Sequence, residues 1–198
     1  MDNYGIIVKN QMKEFNPTNL DVVRKTAHII IGLGNPGVEY IHTYHNLGTL
    51  FLKELQNAYG LSFKNHTSKV FKYAKNGSKI FVEPTVFMND SGHAIQTALH
   101  YFKETPQHLL LAHDDSDLML GNYKIDFGRG AAGHKGVASV IHALGTKDFF
   151  RLRIGIRPLT PNKERRVKAS EFVLKKIKKE DLEILSHALH IINEKLFY

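Results

Sequence analysis

Short apolar runs bounded by glycine or polar residues recur along the chain and predict buried strands. The clearest are His28–Ile31, which ends at Gly32, then Leu109–Ala112 and Phe150–Ile156. Tyr123–Phe127 has a weaker strand pattern. The runs His28–Ile31 and Leu109–Ala112 are too short for helices and almost continuously apolar, so they indicate strands covered on both faces.

Apolar residues three and four positions apart predict four helices between these strands. The first covers Asn46–Tyr59, with Gly60 as its C-cap. A second begins where Asp90 or Ser91 can cap it and ends before Pro106. The remaining two cover Gly136–Leu144 and a segment that starts near Glu180.

A hairpin signal changes the kind of sheet that these elements predict. The strand-like runs Lys69–Ala74 and Lys79–Val82 flank Asn76-Gly77, a dipeptide that favours a tight antiparallel turn. Because helices otherwise alternate with strands, the order predicts an α/β protein with a mixed sheet.

We find no internal repeat and no boundary that divides the main part of the chain. Residues 1–27 are polar and irregular, and we expect an N-terminal extension, either a tail or a processed targeting segment, before a domain at 28–198. The polar stretch Arg157–Lys168 contains Pro158 and Pro161 and predicts a mobile loop.

Composition excludes some classes of protein. The sequence has no cysteine, which excludes disulfides and thiolate metal sites. It has no apolar run long enough to cross a bilayer and no pattern of a secretory signal, so we expect an intracellular protein of cytoplasm or mitochondrion with no membrane partner.

Charge is concentrated near the C-terminus. From Arg151 to Tyr198 there are 12 Lys and Arg residues and 6 Asp and Glu residues, within a chain of net charge +8. A basic surplus suits a polyanion such as a nucleic acid. A solvated basic surface explains the charge equally well.

The segment Gly32–Gly37 matches the G-x-G-x-x-G fingerprint of dinucleotide-binding proteins, but its surroundings do not fit. In that fingerprint a helix begins inside the glycine loop and points its N–H groups at a pyrophosphate. Here Pro36 removes a donor, and no helical stripe follows before His45. The sequence therefore predicts no nucleotide cofactor.

Polar residues gather in three predicted loops that each follow an apolar run. The first loop contains Asn35, Tyr40 and His45, and the second covers Phe87–Gly92. The third covers His113–Asp117, with the glycine-rich stretch Gly128–Gly136 and its His134 further along the chain. Since ligands of open α/β sheets bind at the carboxyl ends of the strands, we expect the three loops to converge on one crevice.

These loops contain the groups needed for acid–base hydrolysis. His45 can act as a general base, with Asp114 to orient its ring, and Asn35 and Asn89 can donate to a carbonyl or an oxyanion. The alternatives are ordinary ones: a histidine before a helix is often a cap or a surface residue, and asparagine is a common turn residue.

The sequence also bears on two other hydrolytic chemistries. The cluster His113, Asp114, Asp115 and Asp117 offers ligands for a divalent metal, although no recognised metal-binding spacing is present. No serine stands in a G-x-S-x-G elbow, which argues against a serine nucleophile.

Five segments, in order, resemble the signatures of the bacterial-type peptidyl-tRNA hydrolase family. They are GLGNPGVEYIHTYHN, EPTVFMNDSG, AHDDSDLMLG, GRGAAGHKG and FFRLRIGIRP, spread over Ile29–Leu174. The resemblance implies a single α/β domain with a twisted mixed sheet flanked by helices. It also implies hydrolysis of the ester between a peptide and tRNA by a monomer that uses neither a metal nor a cofactor.

The resemblance also implies a role for each matching residue. His45 is similar to the catalytic base, Asp114 to the acid that orients it, and Asn35 to the residue that senses the N-acylated end of the substrate. The implied substrate-contacting residues are Tyr40, Phe87, Met88, Asn89 and Lys135. Arg153 and Lys124 match positions for tRNA phosphates.

Three positions depart from the family pattern. Lys135 replaces an asparagine, Tyr44 replaces an arginine before the catalytic histidine, and Asp126 stands where a basic residue is common. The departures at Lys135 and Asp126 leave a catalytically impaired RNA-binding or ribosome-associated relative as one alternative to the hydrolase. The acidic cluster leaves a metal-dependent hydrolase as another.

Overall fold

The computed structural model describes residues 17–158 and 168–197, and within these residues seven strands form one sheet. The strands are β1 (Ile29–Gly32), β2 (Lys64–Asn65), β3 (Phe71–Asn76), β4 (Lys79–Pro84), β5 (Leu109–Met119), β6 (Tyr123–Phe127) and β7 (Phe150–Arg157). The α-helices are α1 (Pro17–Thr26), α2 (Leu47–Tyr59), α3 (Ser91–Phe102), α4 (Lys135–Leu144) and α5 (Lys179–Phe197). None of the helices described has the length and apolar character of a membrane span.

The sheet is mixed, with strand order β2-β3-β4-β1-β5-β7-β6. Its four central strands β4, β1, β5 and β7 run parallel, while β2, β3 and β6 pair antiparallel. The β3–β4 hairpin turns at Gly77, whose φ of 55° is easy for glycine. The predicted α/β fold with a mixed sheet is confirmed.

Helices cover both faces of the sheet, because side chains alternate along each buried strand. In β1, Ile30 packs with Phe51 of α2 and Leu185 of α5. Ile31 faces the other way, into a second core with Ile95 of α3. The parallel strands therefore lie between two apolar layers, and the polar carboxyl ends of the strands are left to form a site.

Helix α1 occupies part of the stretch that the sequence pattern described as irregular. Its Leu20 and Val23 are buried in the core shared with α2 and α5. Lys79 Nζ donates to the carbonyl oxygens of Arg24 and Ala27 at 2.7 and 2.6 Å, which satisfies the end of the helix. Residues 17–27 thus pack onto the domain. Residues 1–16 and 159–167, including most of the predicted loop, lie outside the described residues.

Two local predictions need correction. Asp90 is the N-cap residue of α3, but its side chain makes no cap hydrogen bond, and the backbone N–H of Gly92 donates instead to Ser139 Oγ at 3.0 Å. The segment His113–Asp117 is not a loop, because β5 continues to Met119. Pairing with β7, in which Asp114 stands opposite Ile154, provides the backbone partners that hold this polar segment extended.

Candidate active site

The polar residues converge on a crevice of about 180 Å³ beside the second half of β5. One wall is the segment Ala131–Lys135, which leads into α4, and the opposite wall is the segment Ala169–Val173. His45, Asp114 and Lys135 all line it. The predicted convergence of the first and third segments is therefore observed in the geometry.

His45 and Asp114 are hydrogen-bonded, although they are 69 residues apart. His45 lies in a short 3₁₀ turn, Tyr44–Asn46, and its backbone N–H donates to the carbonyl of Val173 at 2.8 Å. Its Nδ1 is 2.8 Å from Asp114 Oδ1, so the ionised carboxylate makes Nδ1 the donor. Nε2 then has a lone pair available to the crevice, as a general base requires.

His134 is a site residue that the sequence analysis did not assign. Its Nε2 is 2.9 Å from the same Asp114 Oδ1, and its Nδ1 accepts from the backbone N–H of Val137 at 3.2 Å. These two partners fix the neutral tautomer with the proton on Nε2. The available signal was its place in GRGAAGHKG, directly before a predicted helix, where it also serves as N-cap.

The two histidines control the charge of Asp114, which is 3% exposed. Burial by itself raises the pKa of a carboxyl group. The hydrogen bonds from His134 and His45, together with the positive charge that either ring carries when protonated, outweigh burial and hold the pKa of Asp114 well below its ordinary value. Asp114 is therefore an anion that can stabilise a positive charge forming on His45.

His113 directly precedes Asp114 in β5 and stabilises this part of the strand. It is 2% exposed, and its Nδ1–H donates to the carbonyl of Asp114 at 2.6 Å. Burial, and secondly repulsion by His134, lower the pKa of His113 to about 3, so the ring is neutral. Asp115 also lines the crevice, but both its carboxylate oxygens are engaged, Oδ2 by Arg153 Nε and Oδ1 by the backbone N–H of Asp117. The acidic cluster that the sequence offered as metal ligands is thus not assembled around a common point.

Asn35 links two of the converging segments. Its Oδ1 accepts from the backbone N–H of Met88 at 2.8 Å. Its own backbone N–H and carbonyl both bond the side chain of Asn46 at 2.9 Å. Asn46 is 2% exposed and was not assigned a role from the sequence. This bond fixes the orientation of the amide, and the Nδ2 of Asn35 can donate to a ligand.

An exposed apolar rim flanks this asparagine. Tyr40 and Phe87 meet edge to face, with ring centroids 6.2 Å apart. Phe87 is 54% exposed and Val38 is 81% exposed. Asn89 is exposed as well, whereas Met88 is buried at 4% and packs in the core, where it supports the segment. The Met88 side chain is therefore not positioned for direct contact with a ligand.

Arg153 lies inside the protein. Its side chain is 4% exposed, with Nε 2.6 Å from Asp115 Oδ2 and a terminal nitrogen 2.6 Å from Asp126 Oδ2. Burial opposes its charge, but the hydrogen bonds that Arg153 donates to these two carboxylates raise its pKa. This placement does not offer the guanidinium to a phosphate. Lys124, opposite Arg153 in the β6–β7 pair, is exposed.

Tyr44, the second departure from the family pattern, has a structural role. It is 5% exposed, and its ring meets Phe172 edge to face at 5.7 Å. Its hydroxyl donates to Asp181 of α5. Burial and this hydrogen bond raise the pKa of Tyr44 to about 12. Tyr44 thereby connects the turn that contains His45 to the last helix.

The sequence matches the family model for peptidyl-tRNA hydrolase over residues 29–197. The chain belongs to the peptidyl-tRNA hydrolase family. It is 40% identical over 158 residues to a peptidyl-tRNA hydrolase of Mesoplasma florum, covering 78% of this chain and 83% of the relative. It is 38% identical over 178 residues to that of Thermodesulfovibrio yellowstonii, covering 84% and 92%.

The fold agrees with this membership. The crystal structure of peptidyl-tRNA hydrolase from Acinetobacter baumannii aligns with a TM-score of 0.73 and 30% identity, covering 83% of each chain. The family match begins at the first residue of β1 and ends in α5, so the whole crevice lies within it. Helix α1 precedes the matched region.

Proposed function

We propose that this member of the family hydrolyses the ester bond between a peptidyl group and tRNA, with His45 as the general base. The observation that carries the proposal is the fixed tautomer of His45. Its Nδ1 is engaged by Asp114 at 2.8 Å, while the ring is 12% exposed beside the crevice. A positioned imidazole with a free Nε2 is suited to take a proton from water near neutral pH.

The reaction then proceeds by general base catalysis. His45 Nε2 removes a proton from a water molecule, and the water oxygen attacks the ester carbonyl carbon. As the tetrahedral intermediate collapses, the carbon–oxygen bond to the tRNA ribose breaks, and the imidazolium returns the proton to the leaving ribose oxygen. Asp114 stabilises the imidazolium between the two steps. A free peptide carboxylate and a free tRNA hydroxyl result.

Asn35 and the apolar rim support recognition of the peptide part. The free Nδ2 of Asn35 can donate to a carbonyl of the N-acylated residue, and an unblocked aminoacyl group lacks that carbonyl. Tyr40 and Phe87 offer aromatic surface for the side chains of the peptide. Asn89 and Lys135 are further hydrogen-bond donors for the peptide part of the substrate. The backbone N–H of Met88 holds the side chain of Asn35 in place.

For the tRNA part, Lys124 is the phosphate contact that the structure favours. Its ammonium is exposed on the edge strand β6, and an exposed cation gains phosphate contacts while releasing counterions. Arg153 supports the same strand pair from within through Asp126. We propose that the enzyme acts as a monomer, with peptidyl-tRNA as its partner.

A metal-dependent hydrolase is the second candidate, because His45, Asp114 and His134 offer ligand atoms within 4.8 Å of one another. The hydrogen bonds instead favour protons, and not a metal ion, on the ring nitrogens that face Asp114. A ligating Nε2 on His134 needs its proton moved to Nδ1, and that would remove the acceptor that Val137 N–H uses. We therefore propose that the reaction is metal-independent.

Hydrolysis of N-acetyl-aminoacyl-tRNA tests the proposal. Turnover should persist in EDTA, and His45→Ala should reduce kcat by about 10²–10⁴-fold while tRNA binding survives. His42→Ala is the matched control, because His42 is an exposed histidine in the same segment. Full turnover by a folded His45→Ala protein would remove His45 from the mechanism. Loss of turnover in EDTA, restored by a divalent metal, would favour the second candidate, and binding without turnover would indicate an impaired relative.

A further inference from the structure

A second pair of histidines lies at the end of the sheet opposite the crevice. His28 directly precedes β1 and His108 directly precedes β5, and these strands pair in parallel with Ile29 opposite Leu109. The backbone N–H of His28 donates to the carbonyl of His108 at 3.0 Å. The two rings therefore stand side by side, with centroids 4.4 Å apart.

Glu104 completes a cluster with these histidines. It follows α3 and stands four residues before His108, with its backbone N–H bonded to the carbonyl of Leu99 at 2.9 Å. Its Oε2 is 2.6 Å from His108 Nδ1 and 3.4 Å from His28 Nδ1. One ligand atom from each of the three residues lies within 4.8 Å of the other two.

We propose that His28, Glu104 and His108 bind a divalent transition-metal ion, with Zn²⁺ as the best match. Imidazole nitrogen and carboxylate oxygen are ordinary zinc ligands, and hard cations such as Mg²⁺ or Ca²⁺ prefer all-oxygen sites. Zn²⁺ displaces the proton of the hydrogen bond that otherwise joins His108 Nδ1 to Glu104 Oε2.

The distances are close to those of a zinc site. Ligands bound tetrahedrally at about 2.0–2.1 Å stand about 3.3 Å from one another. The gap between His28 Nδ1 and Glu104 Oε2 is 3.4 Å, as required, while the gap between His108 and Glu104 is 2.6 Å and must open. An opening of about 0.7 Å follows from those spacings. The third separation, between the ligand atoms of the two histidines, is at most 4.8 Å.

The cluster is accessible without unfolding. The side chains of His28, His108 and Glu104 are 39%, 36% and 15% exposed. An ion can enter from solvent, and with three protein ligands its fourth position is open to water. Because the site joins the starts of β1 and β5 to the end of α3, bound metal stabilises the fold and leaves the chemistry at the other end of the strands unchanged.

Metal titration of tag-free protein, stripped with EDTA and then dialysed, tests the site. Calorimetry with Zn²⁺ should show one tight equivalent, Co²⁺ should give a tetrahedral absorption spectrum, and Zn²⁺ should raise Tm. His28→Gln, His108→Gln and Glu104→Gln should each weaken binding by about tenfold or more. His187→Gln, at an exposed histidine of α5, is the control that should retain it.

The crevice is the competing location for the metal. One equivalent of Zn²⁺ should leave hydrolysis of N-acetyl-aminoacyl-tRNA unchanged if the metal binds at the base of the sheet. Glu104→Gln keeps its size and a hydrogen bond to His108, so it is expected to fold even if the histidine variants do not. Absence of binding in the wild type, or binding that survives Glu104→Gln and disappears with His45→Gln, would overturn the proposal.

Discussion

His134 and Asp114 are joined by a hydrogen bond of 2.9 Å from Nε2 to Oδ1, on the same carboxylate oxygen that holds the catalytic-site histidine. Asp114 is thus held from two sides by imidazoles, and His134 in turn is fixed by the first turn of α4 through Val137. This arrangement makes His134 a positioning residue in the proposed mechanism.

Removing His134 should therefore impair the base indirectly. We expect His134→Ala to lower kcat by about tenfold to hundredfold, the loss of one hydrogen bond to a charged group, with little change in tRNA affinity. The pH dependence of kcat should also change, because Asp114 loses one of the partners that lower its pKa. His134→Asn, which keeps a donor, should recover part of the rate. An unaltered pH–rate profile in His134→Ala would show that the residue only caps α4.

His113 should make stability depend on pH. Its pKa is lowered to about 3 in the folded protein, whereas an unfolded histidine titrates near 6.5. Protons therefore bind the unfolded state preferentially between these values, and this contribution destabilises the fold as pH falls below about 6.5. The slope is about 1.4 kcal/mol per pH unit.

Urea unfolding between pH 7 and pH 4 measures this effect. His113→Asn keeps a donor for the carbonyl of Asp114 and removes the titration. We expect this variant to lose the slope due to His113 while His187→Asn, at an exposed position, retains it. Identical pH dependence in all three proteins would contradict the assignment.

Substitution of Arg153 should lower the stability of the protein, whereas substitution of Lys124 should weaken phosphate binding. Arg153→Gln leaves Asp115 without its buried cation, and breaking such a pair typically destabilises a protein by about 3–5 kcal/mol. Lys124→Gln should leave Tm nearly unchanged, weaken tRNA binding, and make the log–log salt slope shallower by about one contact. Filter binding over a series of salt concentrations measures the affinity of both variants for tRNA, and thermal unfolding measures their Tm. A stable Arg153→Gln protein with a shallower salt slope would restore Arg153 as the phosphate contact.

Lys135 should act as a donor to substrate. An ammonium donates but cannot accept, whereas the asparagine common in the family does both. In the proposed mechanism His45 accepts the proton of the attacking water. We therefore expect Lys135→Asn to leave the chemical step almost unchanged and Lys135→Ala to raise KM more than it lowers kcat. Single-turnover rates distinguish these cases. A clear gain in chemical rate for Lys135→Asn would mean that the position mainly accepts.

The sequence predicted the elements of the fold well, because their signals are local. The helix Leu47–Tyr59 ends at Gly60 in the left-handed region, and the hairpin turns at Gly77, both from residues that are neighbours in sequence. It missed the extension of β5 through Met119, since a polar run has no strand periodicity of its own. Pairing with β7 holds that segment extended.

In the candidate site, too, some features follow from local sequence and others from the tertiary structure. By itself, the sequence determined the alternation of strands and helices, the mixed sheet and the ordered segments that contain His45 and Asp114. Only the tertiary structure decided which acid forms a hydrogen bond with His45, 69 residues away in the sequence. It also decided that His134, 20 residues from Asp114, bonds the same carboxylate, and that Arg153 lies buried between two carboxylates. The physical reason is that periodicity reports which face of an element is apolar, whereas these contacts depend on the order of the strands in the sheet and on the burial that this order imposes.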